Sequence, residues 1–87
     1  MSCIFCGIVD REIPADIIYE DDYLLAFRDR NPQAPVHVLI IPKKHIAALN
    51  QVGESDRDLL GRLAEAAARL AEREGIASSG FRLVVNS

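Results

Sequence analysis

The run Val36-His37-Val38-Leu39-Ile40-Ile41 constrains the fold of this chain more than any other stretch. Apart from His37, its residues are apolar and largely β-branched, and the run lacks the polar alternation that is typical of a half-exposed strand. The pattern therefore predicts a central strand that is covered on both faces. Pro42 closes the run, because proline has no amide hydrogen to donate to a strand ladder.

Two further β-prone runs precede it. They are Ile17–Glu20 and Tyr23–Arg28, and they flank the acidic turn Glu20-Asp21-Asp22. Strands on either side of a tight acidic turn predict a hairpin. At the start of the chain, residues 4–12 predict a short helical turn that ends before Pro14.

The second half of the chain contains the clearest helix pattern, over residues 55–74, with Gly75 as its stop. Leucine and alanine residues at helical spacing form one apolar stripe on it. Residues 80–86 then alternate as a last strand. The order β-β-β-α-β with short links predicts an α+β domain with an antiparallel sheet and one long helix.

Composition limits the function classes. The chain has 87 residues, enough for a single thin domain (1–87), and 49% of them are hydrophobic. Its net charge is −3 and Lys43-Lys44 is the only adjacent basic pair, so we expect no nucleic-acid partner. No apolar run approaches the roughly 20 residues of a membrane span. The start lacks a signal peptide, so we expect a cytoplasmic protein without membrane contact.

Cys3 and Cys6 are the only cysteines and form a Cys-x-x-Cys pair. The pair is half of a zinc site, since zinc takes three or four protein ligands. A redox pair and simple packing are the alternatives, and spacing alone does not decide between them. His37 and His45 lie roughly 20–26 Å apart if the chain between them is extended, so at most one joins the cysteines.

Asp29 and Asn86 each follow a predicted strand. Such residues often serve turn chemistry, but a carboxylate and a carboxamide at neighbouring strand ends also bind hydroxyl or phosphate groups. The basic residues Arg28, Arg30, Lys43 and Lys44 are expected to be solvated. The residues alone predict a small cytoplasmic α+β domain with half of a candidate metal site.

The sequence also resembles a known family. The segments "REIPADIIYEDD" and "NPQAPVHVLIIPKKHI", with "CIFC" before them and "GFRLVVNS" after the helix, are similar to the Hint-type branch of the histidine triad (HIT) family. The resemblance covers essentially the whole chain. It implies an α+β homodimer with a five-stranded antiparallel sheet and one long helix, with four of the strands in this chain.

The resemblance implies an enzyme that binds purine mononucleotides and hydrolyses or transfers at the α-phosphate, for example of nucleoside phosphoramidates. In the family the middle histidine of a His-x-His-x-His motif forms a nucleotidyl-histidine intermediate. No such motif occurs in residues 1–87. We therefore expect the triad and the fifth strand to lie beyond Ser87, and the 87-residue chain to lack the catalytic histidine.

The resemblance also implies nucleotide-binding roles. Asp29 matches the acid that holds the ribose hydroxyls, and Asn86 matches an asparagine near the phosphate. His37 matches a supporting histidine, and Arg30 replaces the aliphatic residue usual against the base. Five apolar residues resemble the family's wall of the base pocket: Ile4, Phe5, Ile8, Ile13 and Phe27.

Zinc-bearing HIT proteins and the related galactose-1-phosphate uridylyltransferases complete the cysteine pair with a histidine. The resemblance implies that Cys3, Cys6 and His45 hold a structural zinc ion, with the first triad histidine as fourth ligand. Two other functions stay open. One is a non-catalytic nucleotide-binding or protein-interaction module, and the other is a zinc-held structural domain without a ligand.

Overall fold

The computed structural model of the chain describes residues 4–32, 34–46 and 51–84. The chain divides into two compact units, Met1–His45 and Ile46–Ser87. The first unit contains a short helix and three strands, and the second contains the long helix. This confirms the predicted α+β class with an antiparallel sheet. In the parts of the chain described, no helix is long and apolar enough to cross a membrane.

The elements of the first unit follow one another along the chain. They are α1 (Ile4–Val9), β1 (Ile17–Glu20), β2 (Leu24–Arg28) and β3 (Val38–Pro42). Within the described residues they form a three-stranded antiparallel sheet in the order β1-β2-β3. The predicted hairpin is therefore confirmed, with β2 paired to both neighbours.

The position of β3 corrects a sequence-based prediction. The run 36–41 was expected to form the central strand, but β2 lies at the centre of the described sheet and β3 at its edge. Four consecutive residues of β2, Leu24–Phe27, are buried, whereas in β3 only Ile41 is. Apolar content alone does not distinguish these positions, because residues 24–27 of β2 and 38–41 of β3 are all apolar.

The side chain of Asp21 shapes the turn between β1 and β2. Its Oδ1 accepts hydrogen bonds from the backbone amides of Tyr23 and Leu24, both at 2.8 Å. Its Oδ2 accepts a hydrogen bond from the Tyr19 hydroxyl at 2.6 Å. A carboxylate that satisfies two turn amides holds the hairpin closed, which explains why the acidic turn was a reliable sequence signal.

The core of the first unit lies between α1 and the sheet. Ile8, Leu25, Phe27 and Ile41 form a buried cluster. Ile13 packs against this cluster, and it lies so close to α1 that a Cβ on Gly7 would be 2.6 Å from Ile13 Cδ1. The absence of a side chain at Gly7 therefore allows the segment after α1 to fold back onto the helix.

Helix α1 ends in a Schellman arrangement. The amide of Arg11 donates to the Ile8 carbonyl at 3.1 Å, and the amide of Glu12 donates to the Gly7 carbonyl at 2.8 Å. Arg11 has φ = 65°, the left-handed conformation that glycine adopts most easily. A residue with a Cβ pays roughly 1–2 kcal/mol for this conformation.

In the second unit, a 3₁₀ turn (Glu54–Asp56) leads into α2 (Arg57–Arg73). This confirms the long helix, within two residues of its predicted start. Asp56 is buried, and its Oδ2 accepts a hydrogen bond from the Gly53 amide at 3.0 Å. Ala66, Leu70 and Ala71 are the buried residues of α2.

The predicted last strand is not found at residues 80–84, which have irregular backbone; Val85 and Asn86 lie outside the described residues. Phe81, Leu83 and Val84 are exposed. Alternating apolar residues satisfy the side-chain requirement of a strand, but a strand forms only when its backbone groups also find a ladder partner.

Candidate functional site

Asp29 and His37 lie side by side where β2 ends and β3 begins. The Asp29 amide donates to the His37 carbonyl at 3.1 Å. Asp29 Oδ2 lies 3.4 Å from His37 Nε2, and the two side chains are about equally half-buried. Asp29 Oδ1 accepts a hydrogen bond from the Asn31 amide at 3.0 Å. The carboxylate is therefore oriented by a turn contact on one oxygen and faces the imidazole with the other.

The two arginines beside Asp29 connect the end of β2 to the loop before β1. Arg28 Nε lies 3.8 Å from Asp16 Oδ2, and the Arg28 amide donates to the Asp16 carbonyl at 3.0 Å. Arg30 is exposed and its Nη2 donates to the Pro14 carbonyl at 3.1 Å. Both arginines are exposed, as expected of solvated side chains, and each also contacts a protein group.

The predicted apolar wall divides into supporting and accessible residues. The rings of Phe5 and Phe27 have centroids 6.5 Å apart and are tilted by 44°. Phe27 and Ile8 are each only 6% exposed, whereas Phe5 is 42% exposed. A ligand can contact Phe5 and the half-buried Ile13, with Phe27 and Ile8 packed beneath them. The side chain of Ile4 lies outside the described part of the chain.

Cys6 and His45 form the second group of predicted site residues. Cys6 is in α1 and His45 follows β3, and Cys6 Sγ lies 3.1 Å from His45 Nδ1. Two such ligands on one tetrahedral zinc ion are about 3.5 Å apart, so the donor types and their separation fit zinc after a small movement. Cys3 and Asn86 lie outside the described residues. Among residues 4–32, 34–46 and 51–84, no cluster of three potential ligands occurs.

A third polar group was not predicted. Glu20, at the end of β1, pairs with Arg11 through Oε1 and with Lys43 through Oε2, the latter at 2.9 Å. The hydrogen bonds from Lys43 and then Arg11 lower the pKa of the Glu20 carboxyl below its usual value. Lys43 was expected to be solvated. No local sequence pattern links these three residues, because the pairs are distant in sequence and depend on the sheet register.

Comparison with known proteins identifies the family. Residues 2–87 match the family described as Scavenger mRNA decapping enzyme C-term binding. The chain is 51% identical over 84 residues to the purine nucleoside phosphoramidase of Escherichia coli K12, covering 97% of this chain and 71% of that protein. The chain belongs to the histidine triad (HIT) family.

Solved HIT structures agree with this assignment. A HIT family hydrolase from Legionella pneumophila Philadelphia 1 superimposes with a TM-score of 0.94 at 52% identity, covering 98% of this chain and 78% of that one. A HIT family hydrolase from Clostridium thermocellum gives 0.93 at 49% identity, with 98% and 74% covered. The family and the HIT fold predicted from sequence are thus confirmed.

Proposed function

We propose that this HIT protein binds purine mononucleotides and hydrolyses nucleoside phosphoramidates, or transfers their nucleotidyl group, at the α-phosphate. The observation that carries the proposal is the Asp29–His37 pair at the β2–β3 end, in a chain 51% identical to a purine nucleoside phosphoramidase. The pair brings an oriented carboxylate and an imidazole together where β2 ends and β3 begins.

Asp29 is the proposed ribose ligand. A carboxylate has two oxygens with about four acceptor positions in all, and the Asn31 amide occupies one of them. The remaining positions suit the two neighbouring hydroxyls of a ribose, which are both donors. His37, 3.4 Å from Asp29 Oδ2, holds the carboxylate in place in this proposal and does not react itself.

The base is proposed to pack on Phe5 and Ile13, with Phe27 and Ile8 as support and Ile4 as a further wall residue. Aromatic and aliphatic groups bury the faces of a purine and leave its polar edge in water. Arg30 is held beside this surface by the Pro14 carbonyl. Asn86 is proposed to contact the phosphate and ribose.

The chemistry is proposed to proceed in two displacements. A histidine nitrogen forms a bond to the α-phosphorus while the phosphorus–nitrogen bond of the phosphoramidate breaks, and the amine leaves with a proton. Water then attacks phosphorus and releases the nucleotide and the free imidazole. We propose that this nucleophile is the middle histidine of a triad beyond Ser87, so that the residues described here bind and orient the substrate.

Zinc is proposed as a structural ion. Cys3, Cys6 and His45 would hold it, together with the first histidine of the triad, and it would fasten α1 to the segment after β3. The 3.1 Å approach of Cys6 to His45 supports this proposal. A cytoplasmic homodimer is also proposed. The exposed side chains of Phe81, Leu83 and Val84 support an association that covers apolar surface.

The direct test is hydrolysis of adenosine 5′-phosphoramidate by the purified full-length protein. We expect release of AMP, and a covalent adenylyl-protein detectable by intact mass after quenching at alkaline pH, because the phosphorus–nitrogen bond of a nucleotidyl-histidine is labile in acid. Asp29→Ala should raise KM, and the matched variant Asp58→Ala, which removes an exposed carboxylate of α2, should not. AMP binding without turnover would instead favour the non-catalytic module. Residues 1–87 alone should show no turnover, because their histidines are His37 and His45.

A further inference from the structure

The Glu20 cluster, defined as Arg11, Glu20 and Lys43, connects the two chain segments that carry Cys6 and His45. Arg11 lies just after α1, which contains Cys6, and Lys43 precedes His45 by two residues. Both cations contact the same carboxylate at the end of β1. The cluster therefore links both segments to the sheet independently of the contact between Cys6 and His45.

Lys43 is held at both its backbone and its side chain. Its amide donates to the Tyr23 carbonyl at 2.8 Å, and its Nζ lies 2.9 Å from Glu20 Oε2. Tyr23 and Glu20 flank the β1–β2 turn. The chain that leads to His45 is thus tied to that hairpin by two contacts, which limits where the imidazole can lie.

The contact between Arg11 and Glu20 coincides with a strained backbone at Arg11. It occupies the left-handed position that ends α1, with φ = 65°, where glycine is the usual residue. A glycine would adopt this backbone with less strain but would have no side chain to reach Glu20. The side chain of Arg11 pairs with Glu20, so an outlier in backbone conformation coincides with a specific contact.

We propose that Glu20 is a positioning residue for the Cys6–His45 pair: by holding Arg11 and Lys43, it sets the approach of the sulfur to the imidazole. This role goes beyond the proposed nucleotide site, and only its metal-binding test rests on the proposed zinc ion. Exposed ion pairs contribute little to overall stability. If Glu20 is a positioning residue, its substitution should therefore alter zinc affinity and the contact between Cys6 and His45 more than it alters the free energy of unfolding.

The metal test compares zinc affinity, by competition with a chromophoric chelator, and the urea midpoint in the same full-length proteins. We expect Glu20→Ala to weaken zinc binding about tenfold and Glu20→Gln, which keeps one acceptor oxygen, to weaken it less. Asp58→Asn is the matched control, because it removes an exposed ion pair of 2.8 Å on α2. It should leave zinc affinity unchanged.

Arg11→Gly separates positioning from stability. It relieves the left-handed strain and removes the contact with Glu20, so we expect the urea midpoint to be maintained or raised while zinc affinity falls. If zinc affinity fell only in proportion to stability across Glu20→Ala, Arg11→Gly and Asp58→Asn, the cluster would be a general stabiliser and the proposal would be wrong.

A second test uses metal-free protein and is independent of the zinc proposal. In a Cys3→Ser background, His45→Ala should change the rate at which iodoacetamide alkylates Cys6 by about threefold or more, because the ring contacts the sulfur. In the Glu20→Ala background the same substitution should have no effect, since the pair is no longer aligned. Equal effects of His45→Ala in both backgrounds would overturn the proposal, whether or not the protein binds zinc.

Discussion

Cys6 and His45 are 39 positions apart in the sequence, and in the structure the sulfur of Cys6 lies 3.1 Å from Nδ1 of His45. The contact joins α1 to the segment after β3, and Glu20 pairs with Arg11, just after α1, and with Lys43, just after β3. His37 takes no part in it, because its imidazole faces Asp29. The two histidines of the chain therefore serve two different groups of residues.

The first prediction concerns zinc. Protein purified without added metal should contain about one zinc ion per chain, measured by elemental analysis. Cys6→Ser and His45→Ala should each lower the zinc content and the thermal midpoint, because each removes one proposed ligand. His37→Ala is the control and should retain zinc. If the folded protein contained no zinc and its thiols reacted freely, the zinc prediction would be wrong and the cysteines would serve packing alone.

The second prediction concerns Asp29. Asp29→Ala should weaken AMP binding by about 1.5–3 kcal/mol, the range for hydrogen bonds to a charged group, as measured by calorimetry. Binding of 2′,3′-dideoxy-AMP should hardly change, because that ligand lacks the hydroxyls that Asp29 is proposed to hold. An equal loss for both ligands would show that Asp29 does not contact the ribose and acts through the turn with Asn31.

Local chemistry explains what the sequence predicted well. The hairpin was predictable because Asp21 satisfies the turn amides itself, and α2 because its apolar stripe and its terminal glycine are both local signals. Asp29 and His37 were singled out from the sequence. Their contact follows from the antiparallel pairing of β2 with β3, in which Arg28 lies opposite Val38.

What the sequence did not predict depends on long-range pairing. The order of strands in the sheet places β2 at the centre, and no periodicity encodes that order. The strand expected at residues 80–86 requires a hydrogen-bonded partner strand as well as alternating side chains. The Glu20 cluster combines three charged residues whose types are common on any surface, so only the register of the sheet shows that they meet.

The third prediction compares two glycines. Gly7→Ala should lower the free energy of unfolding by about 1–3 kcal/mol, a typical cost of overpacking, because the new Cβ would lie 2.6 Å from Ile13 Cδ1. Gly61→Ala has open space around it in α2 and should raise stability by up to about 1 kcal/mol through helix propensity. Urea unfolding of both variants measures the difference. A neutral Gly7→Ala would mean that Ile13 moves aside freely.

The fourth prediction concerns the pH dependence of stability through Glu20. Hydrogen bonds from Lys43 and Arg11 lower the pKa of this carboxyl in the folded protein below its ordinary value of 4.5. A depressed folded-state pKa means that the unfolded chain binds the proton more tightly, so the contribution is complete above the ordinary pKa. It is lost as the pH falls through the folded-state pKa.

The measurement is the urea midpoint of wild type and Glu20→Gln between about pH 3 and about pH 7. Wild type should be the more stable protein at neutral pH. The difference should shrink as the pH falls below 4.5 and then through the lower folded-state pKa, where Glu20 takes up a proton and becomes uncharged like glutamine. About 1 M salt should reduce the neutral-pH difference as well, since the cluster is partly exposed and salt screens its charges. Glu65→Gln, which removes a carboxylate 3.8 Å from Arg69 on α2, is the matched surface variant. A difference for Glu20→Gln that stays constant with pH would mean that the side chain acts through its shape and not through its charge.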